Sequence, residues 1–149
     1  MALVTWDKAY SVGNALLDAD HRIILDLLNQ LHDAADTDQS RIVVGSILNA
    51  LAEYTEHHFR REEVLMALAG YPRTDEHVAS HRQLEARVGT IRSLWAAGDR
   101  QALNEEVLSL LKKWLTGHIL EDDKAYGPWV EAASAGAETA RNPACDQAP

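Results

Sequence analysis

Apolar residues recur at steps of three and four along most of the chain, the spacing that lines one face of an α-helix. His21, Ile24, Leu28, Leu31 and Ala35 mark a first stripe, with Asp18 or Asp20 as its N-cap. Val44, Ile47 or Leu48, Leu51, Thr55, His58, Glu62, Leu65 and Ala69 mark a second, from about Arg41 to Ala69, closed by Gly70 and Pro72. A third starts near Thr74, with Asp75 and Glu76 in its first turn. It carries His77, His81, Leu84, Val88, Ile91 and Trp95 and ends at Gly98. A fourth runs from Asp99 or Arg100 to Tyr126 through Val107 or Leu108, Leu111, Trp114 or Leu115 and His118, and Gly127-Pro128 is expected to stop it.

Short polar connections, such as Asp36 to Ser40, make sequential helices antiparallel neighbours, and no stretch alternates for long at the strand period. The expected fold is all-α, an up-down-up-down antiparallel four-helix bundle. Residues 1–17 have no sustained period and read as an N-terminal arm lying across the bundle, anchored by Trp6, Tyr10 and Val12, with a turn at Gly13-Asn14. Residues 132–149, rich in Ala, Ser, Gly and Pro, read as a flexible, disordered C-terminal tail, leaving 1–131 as the four-helix domain.

Composition narrows the function more than the fold. The 149 residues suffice for one domain with a sizeable core. A net charge of -9 argues against nucleic acid and against anionic membranes as partners. No apolar run approaches the roughly 18 residues of a spanning helix, so no membrane insertion is expected. The charged N-terminus does not read as a signal peptide, which makes the cytoplasm the expected location. The acidic surface is compatible with a monomer, the expected state. Cys145 is the one cysteine, so a metal here would be held by nitrogen and oxygen.

The inward stripes also carry chemistry. His58 and Glu62 stand four residues apart on the second, His77 and His81 four apart on the third, and His21 and His118 lie on the first and fourth. In an antiparallel bundle these positions fall in one layer. A lone inward histidine is ordinarily a hydrogen-bonded core residue. Five imidazoles with carboxylates would leave many buried polar groups unsatisfied unless a metal joined them. Five exceed the needs of one tetrahedral zinc, whereas two carboxylate-bridged ions use them well, and mixed nitrogen and carboxylate ligation suits iron. No Glu-x-x-His pair of the ferritin type and no His-Glu-x-x-His is present. Two carboxylates compete beyond His118. Asp122 is one α-helical turn away, while Asp123 is rotated about 140° unless the helix widens locally into a π-turn, which Gly117 would ease. His57 and His32 are read as bystanders, and so is Glu63.

His21, His58-Phe59-Arg60-Arg61-Glu62-Glu63, His77-x-x-x-His81 and His118-Ile119-x-x-x-Asp123 together resemble the hemerythrin signature, in its single-domain bacterial form. The resemblance covers residues 1 to about 130. It implies a non-haem di-iron centre with an oxo or hydroxo bridge that binds O2 reversibly. It implies His77, His81 and His118 on one iron, and His21 and His58 on the other, which keeps an open position. Glu62 and Asp123 would bridge the irons. The signature's His-x-x-x-x-Asp spacing favours Asp123, with Asp122 the fallback. Ile24, Phe59, Trp114, Leu115 and Ile119 would wall the O2 pocket, with Leu115 as its gate.

The expected function is O2 storage, transport or delivery, not catalysis, with an unknown protein as recipient and at most weak peroxidase or oxidase side activity. The rival readings are a di-iron oxidoreductase acting on peroxide, nitric oxide or O2, an O2 or redox sensor module, and iron buffering.

Overall fold

The computed structural model describes residues 2–37 and 41–141, with side chains described as far as residue 136. Four helical rods form the bundle: α1 (Ala15–Asp36), α2 (Arg41–Ala69), α3 (Thr74–Ala96), and a last rod made of α4 (Glu105–Gly117), a π-helical stretch (His118–Asp123) and α5 (Lys124–Arg141). Gly117, His118 and Lys124 all keep helical backbone angles, so the last rod is continuous. α2 packs against α1, α3 and α5.

Helix ends follow local chemistry. α1 starts earlier than either expected cap, because Asn14 caps it by accepting from the Leu17 amide at 3.0 Å. Asp18 instead clamps the arm, accepting from Ser11 Oγ at 2.6 Å and the Val12 amide at 2.9 Å. α2 ends in a Schellman turn: Gly70 has φ +67, and the Tyr71 amide reaches back to the Met66 carbonyl at 3.0 Å. The fourth rod starts later than expected. Residues Arg100–Leu103 form a separate 3-10 turn, and Asn104 caps α4 through the Val107 amide at 2.9 Å.

The arm lies across the bundle as expected. Val4 exchanges two hydrogen bonds with the Asn29 side chain, and Trp6 packs beneath Arg22. The expected stop at Gly127-Pro128 is corrected, since α5 runs through Pro128 to Arg141. Gly127 instead admits the arm: a Cβ there would lie 2.6 Å from the Val12 carbonyl oxygen. Residues 132–141 of the expected tail are therefore helical. The remainder, 142–149, and Asp38-Gln39-Ser40 of the first connection lie outside the described residues.

The core has two apolar clusters. The larger contains Ile24, Leu28, Leu48, Leu51, Leu111, Leu115 and Ile119. The smaller contains Val12, Leu17, Met66, Tyr71, Tyr126 and Val130. On α1 the order is Leu17, His21, Ile24, and on α2 it is Leu51, His58, Glu62, Met66. A polar layer is thus sandwiched between two apolar plugs.

Candidate metal centre

Side chains from all four rods meet in that layer. His21, His58, Glu62, His77, His81, His118 and Asp123 are all buried, none more than 6 % exposed. Their ligand-type atoms fall into two overlapping groups, each within 4.8 Å: His21, His58, Glu62 and Asp123, and Glu62, His77, His81, His118 and Asp123. The carboxylates are common to both groups. Glu62 Oε1 lies 3.1 Å from His21 Nε2 and 2.9 Å from His58 Nε2, while its Oε2 lies 3.0 Å from His81 Nε2. Asp123 Oδ2 lies 3.0 Å from His21 Nε2, and its Oδ1 lies 3.0 Å from both His77 and His118 Nε2. Each carboxylate turns one oxygen to the histidine pair and the other to the histidine trio.

Asp123 reaches the layer because the helix widens. In the π-helical stretch a residue five positions on returns to the face of the first. Asp123 therefore joins His118 inside, at 1 % exposure, and Asp122 stays at the surface.

The donor set fits metal ions. His58 Nε2, His77 Nε2, Glu62 Oε2 and both Asp123 carboxylate oxygens are buried without a hydrogen-bond partner. His81 and His118 present Nε2 atoms to each other at 3.1 Å, with no carboxylate between them in that contact. Atoms that bind one ion at about 2.1 Å along perpendicular bonds sit about 3 Å apart.

Carboxylates other than Glu62 and Asp123 hold the outer nitrogens. His58 Nδ1 lies 2.8 Å from Asp20, which also accepts from Tyr54 Oη at 2.7 Å and from Arg61. His81 Nδ1 lies 3.3 Å from Glu63, which corrects the bystander reading of that residue; Glu63 is itself paired with Arg82 and Arg60. His118 Nδ1 lies 3.1 Å from Asp122. Such contacts fix the tautomer and leave Nε2 pointing inward. Tyr126, fully buried, donates to Glu62 Oε1 at 2.6 Å. The one signal that could have found Asp20 is its place next to His21; Asp122 follows His118 by one helical turn, and Glu63 and Tyr126 depend on contacts between helices. His57 is exposed, beside Arg61, and His32 lies against Asp33 away from the layer.

Of the expected pocket walls, Ile24, Leu115 and Ile119 belong to the large apolar cluster beside the layer. Phe59 stacks on His81 with ring centroids 3.8 Å apart. Trp114 packs against the same cluster from its edge: it is half-buried, with Arg87 over its ring at 4.3 Å, and lines an outer cleft between α3 and α4.

Without metal the layer holds protons. Burial alone would lower His21, but the adjoining carboxylates of Asp123 and Glu62 raise it to about 9. Against the same burial effect, Asp123 and Glu62 raise His77 to about 8, and Asp123 and Asp122 raise His118 to about 10. Burial pushes Glu62 up, but the neighbouring imidazoles, His58 foremost, win and hold it ionised. The metal-free fold therefore gains stability from these ion pairs fully below the ordinary imidazole value of about 6.5. It loses that contribution as pH rises through about 8 to 10. A metal ion must displace the same protons. Loading at pH 7 is expected to release about two to three protons per chain and to tighten as pH rises. Calorimetry in buffers of different ionisation enthalpy measures that release, and pH-independent uptake without proton release would contradict it.

A family model described as the hemerythrin HHE cation binding domain matches residues 12–130. A bacteriohemerythrin of Stenotrophomonas maltophilia is 37 % identical over 132 residues, covering 89 % of this chain and 84 % of that protein. One from Methylococcus capsulatus is 35 % identical over 133 residues, covering 89 % and 100 %. The crystal structure of a wild-type hemerythrin matches with a TM-score of 0.81 at 34 % identity, over 87 % of this chain and 99 % of that one.

Proposed function

We propose, from the premise that this chain belongs to the hemerythrin family, that its buried layer holds two non-haem iron ions and binds O2 reversibly. The observation that carries this reading is the double-faced placement of Glu62 and Asp123, each with one oxygen toward either histidine group. In this reading His77, His81 and His118 would hold one ion and His21 and His58 the other, with Glu62 and Asp123 available to both. Bound iron supplies the coordination site and the electrons that O2 requires.

The protein's own residues orient and exclude. Asp20, Glu63 and Asp122 grip outer imidazole nitrogens, so the inner ones converge. The apolar plugs keep bulk water from the layer, Ile24, Leu115 and Ile119 on one side and Leu17, Met66 and Tyr126 on the other. Water exclusion slows the proton transfers that would carry bound O2 on to reduced products. The Tyr126 hydroxyl keeps its proton, because burial, followed by the charges of Asp123 and Glu62, pushes it well above the usual phenol range. That proton is committed to Glu62 Oε1. This arrangement supports binding and release over turnover, with Leu115 as the proposed gate.

Anaerobic reconstitution with ferrous iron at two ions per chain, followed by O2 titration, tests the reading. A visible absorption band is expected to rise with O2 and vanish when O2 is removed. Ferrous protein that stays colourless while consuming O2, peroxide or nitric oxide would overturn it in favour of a di-iron oxidoreductase.

A further inference from the structure

The three carboxylates on outer nitrogens differ in how their charge is met. Asp20 is buried and answered by Arg61 and Tyr54. Glu63 is answered by Arg82 and Arg60. Asp122 is half-exposed and, among the described residues, has within hydrogen-bond reach His118 Nδ1 at 3.1 Å and Ser80 Oγ at 3.4 Å and no cation. Ser80 Oγ also stands 3.3 Å from His118 Nδ1. His118 is therefore gripped by successive carboxylates on opposite edges, Asp123 inside and Asp122 outside. The widened helix turn makes both possible, since Asp122 lies four residues on and Asp123 five.

The surroundings give this grip a second role. Two clefts open from solvent toward the layer. His77 borders one and His118 the other. Ser80, Glu121 and Asp122 border both and form the wall between them, and of the three Ser80 and Asp122 are the ones that touch His118. By contrast, His21, His58 and His81 border neither cleft.

We propose that Asp122, with Ser80, is a positioning pair that locks His118 from outside and makes the seam between α3 and the π-helical stretch the gate for metal exchange at the three-histidine position. The proposal rests on the ligand assignment above. Holding Nδ1 against a carboxylate keeps the His118 ring in register and raises its donor strength. Releasing it lets the ring swing toward a cleft that already reaches solvent.

The test uses cobalt(II), which reports on coordination through its visible bands without any O2 chemistry. Full-length wild-type, D122N, D122E and His118→Ala proteins are loaded with cobalt, and release into excess chelator is followed. Wild-type protein is expected to take two ions and His118→Ala one. D122N should release one of its two ions about ten- to a hundred-fold faster than wild type, the scale typical of lost partners to metal-bound histidines. Its other ion should leave at the rate of the single ion in His118→Ala, and D122E should restore slow release. Metal-free D122N should keep the wild-type helix content and unfold cooperatively, at a temperature lowered only by the lost ion pair to His118. Release of both D122N ions at wild-type rates, or equal acceleration of both, overturns the gate while leaving the ligand assignment standing. Loss of helix content or of the cooperative transition in metal-free D122N shows Asp122 acting on the fold and overturns the gate as well. Failure of wild type to take two ions, or retention of both by His118→Ala, overturns the ligand assignment and the gate with it.

Discussion

Replacing Glu62 with alanine is expected to empty both metal positions at once and to destabilise even the metal-free protein by about 3 to 5 kcal/mol. Asp123 shares its place in both ligand groups, but Glu62 carries a further contact. Glu62 is fully buried, belongs to both ligand groups and takes the Tyr126 hydroxyl as well. Removing it strands four partners, His21, His58, His81 and Tyr126, among apolar neighbours. The cost of an uncompensated buried charge exceeds that of a lost contact, because water cannot replace the missing carboxylate. Glu62→Gln keeps the volume and the acceptor for Tyr126 but removes the charge, so it should lose metal with a smaller drop in stability. Iron content and chemical denaturation of the two variants measure the separation. Retention of one ion by Glu62→Ala would refute its role as a shared bridge.

The second large effect is metal removal. An ion present at a thousand times its dissociation constant stabilises the folded state by about 4 kcal/mol. For a chain of 149 residues, one kcal/mol corresponds to about 3 °C in melting temperature. Stripping the metal with a chelator at pH 7 is therefore expected to lower that temperature by about 10 to 15 °C. The helices should survive below the transition, because the two apolar plugs do not depend on the layer. The deficit should widen as pH rises through about 8 to 10, where the imidazoles lose the protons that pair them with carboxylates. Superimposable melts with and without chelator would mean that the ion pairs of the layer alone satisfy it.

The two predictions probe different parts of one design. A bundle this size would be more stable with leucine where its histidines stand, since burying paired ions gains little over good apolar packing. The polar layer is therefore explained by its metal chemistry, not by folding. The apolar plugs on either side confine its cost to the turns that hold the ligands.

Much of this was legible in local order. Steps of three and four gave four helical rods, the positive-φ glycines Gly70 and Gly98 fell at their ends, and the inward stripes carried all five buried histidines. These features depend on residues within a turn or two of each other, where helix geometry is nearly invariant. The same periodicity placed Glu62, and it left Asp122 and Asp123 as alternatives that only a family spacing could rank.

The tertiary structure decided the rest, wherever the controlling contact crosses between helices or departs from the regular period. The π-helical stretch separates Asp123 inside from Asp122 outside, and an even α-helix could not deliver both edges of His118 to successive carboxylates. Asp20, a plausible cap by sequence, is a buried partner of His58 on another helix. Glu63, one position from a ligand and seemingly idle, reaches His81 across the α2–α3 seam. Gly127-Pro128, which reads as a stop, is carried inside a helix, with Gly127 leaving room for the arm. Sequence by itself determined which residue types face inward and at what height. Only the packed bundle determined which atoms meet, because partners far apart in the chain are chosen by the fold and not by the helix period.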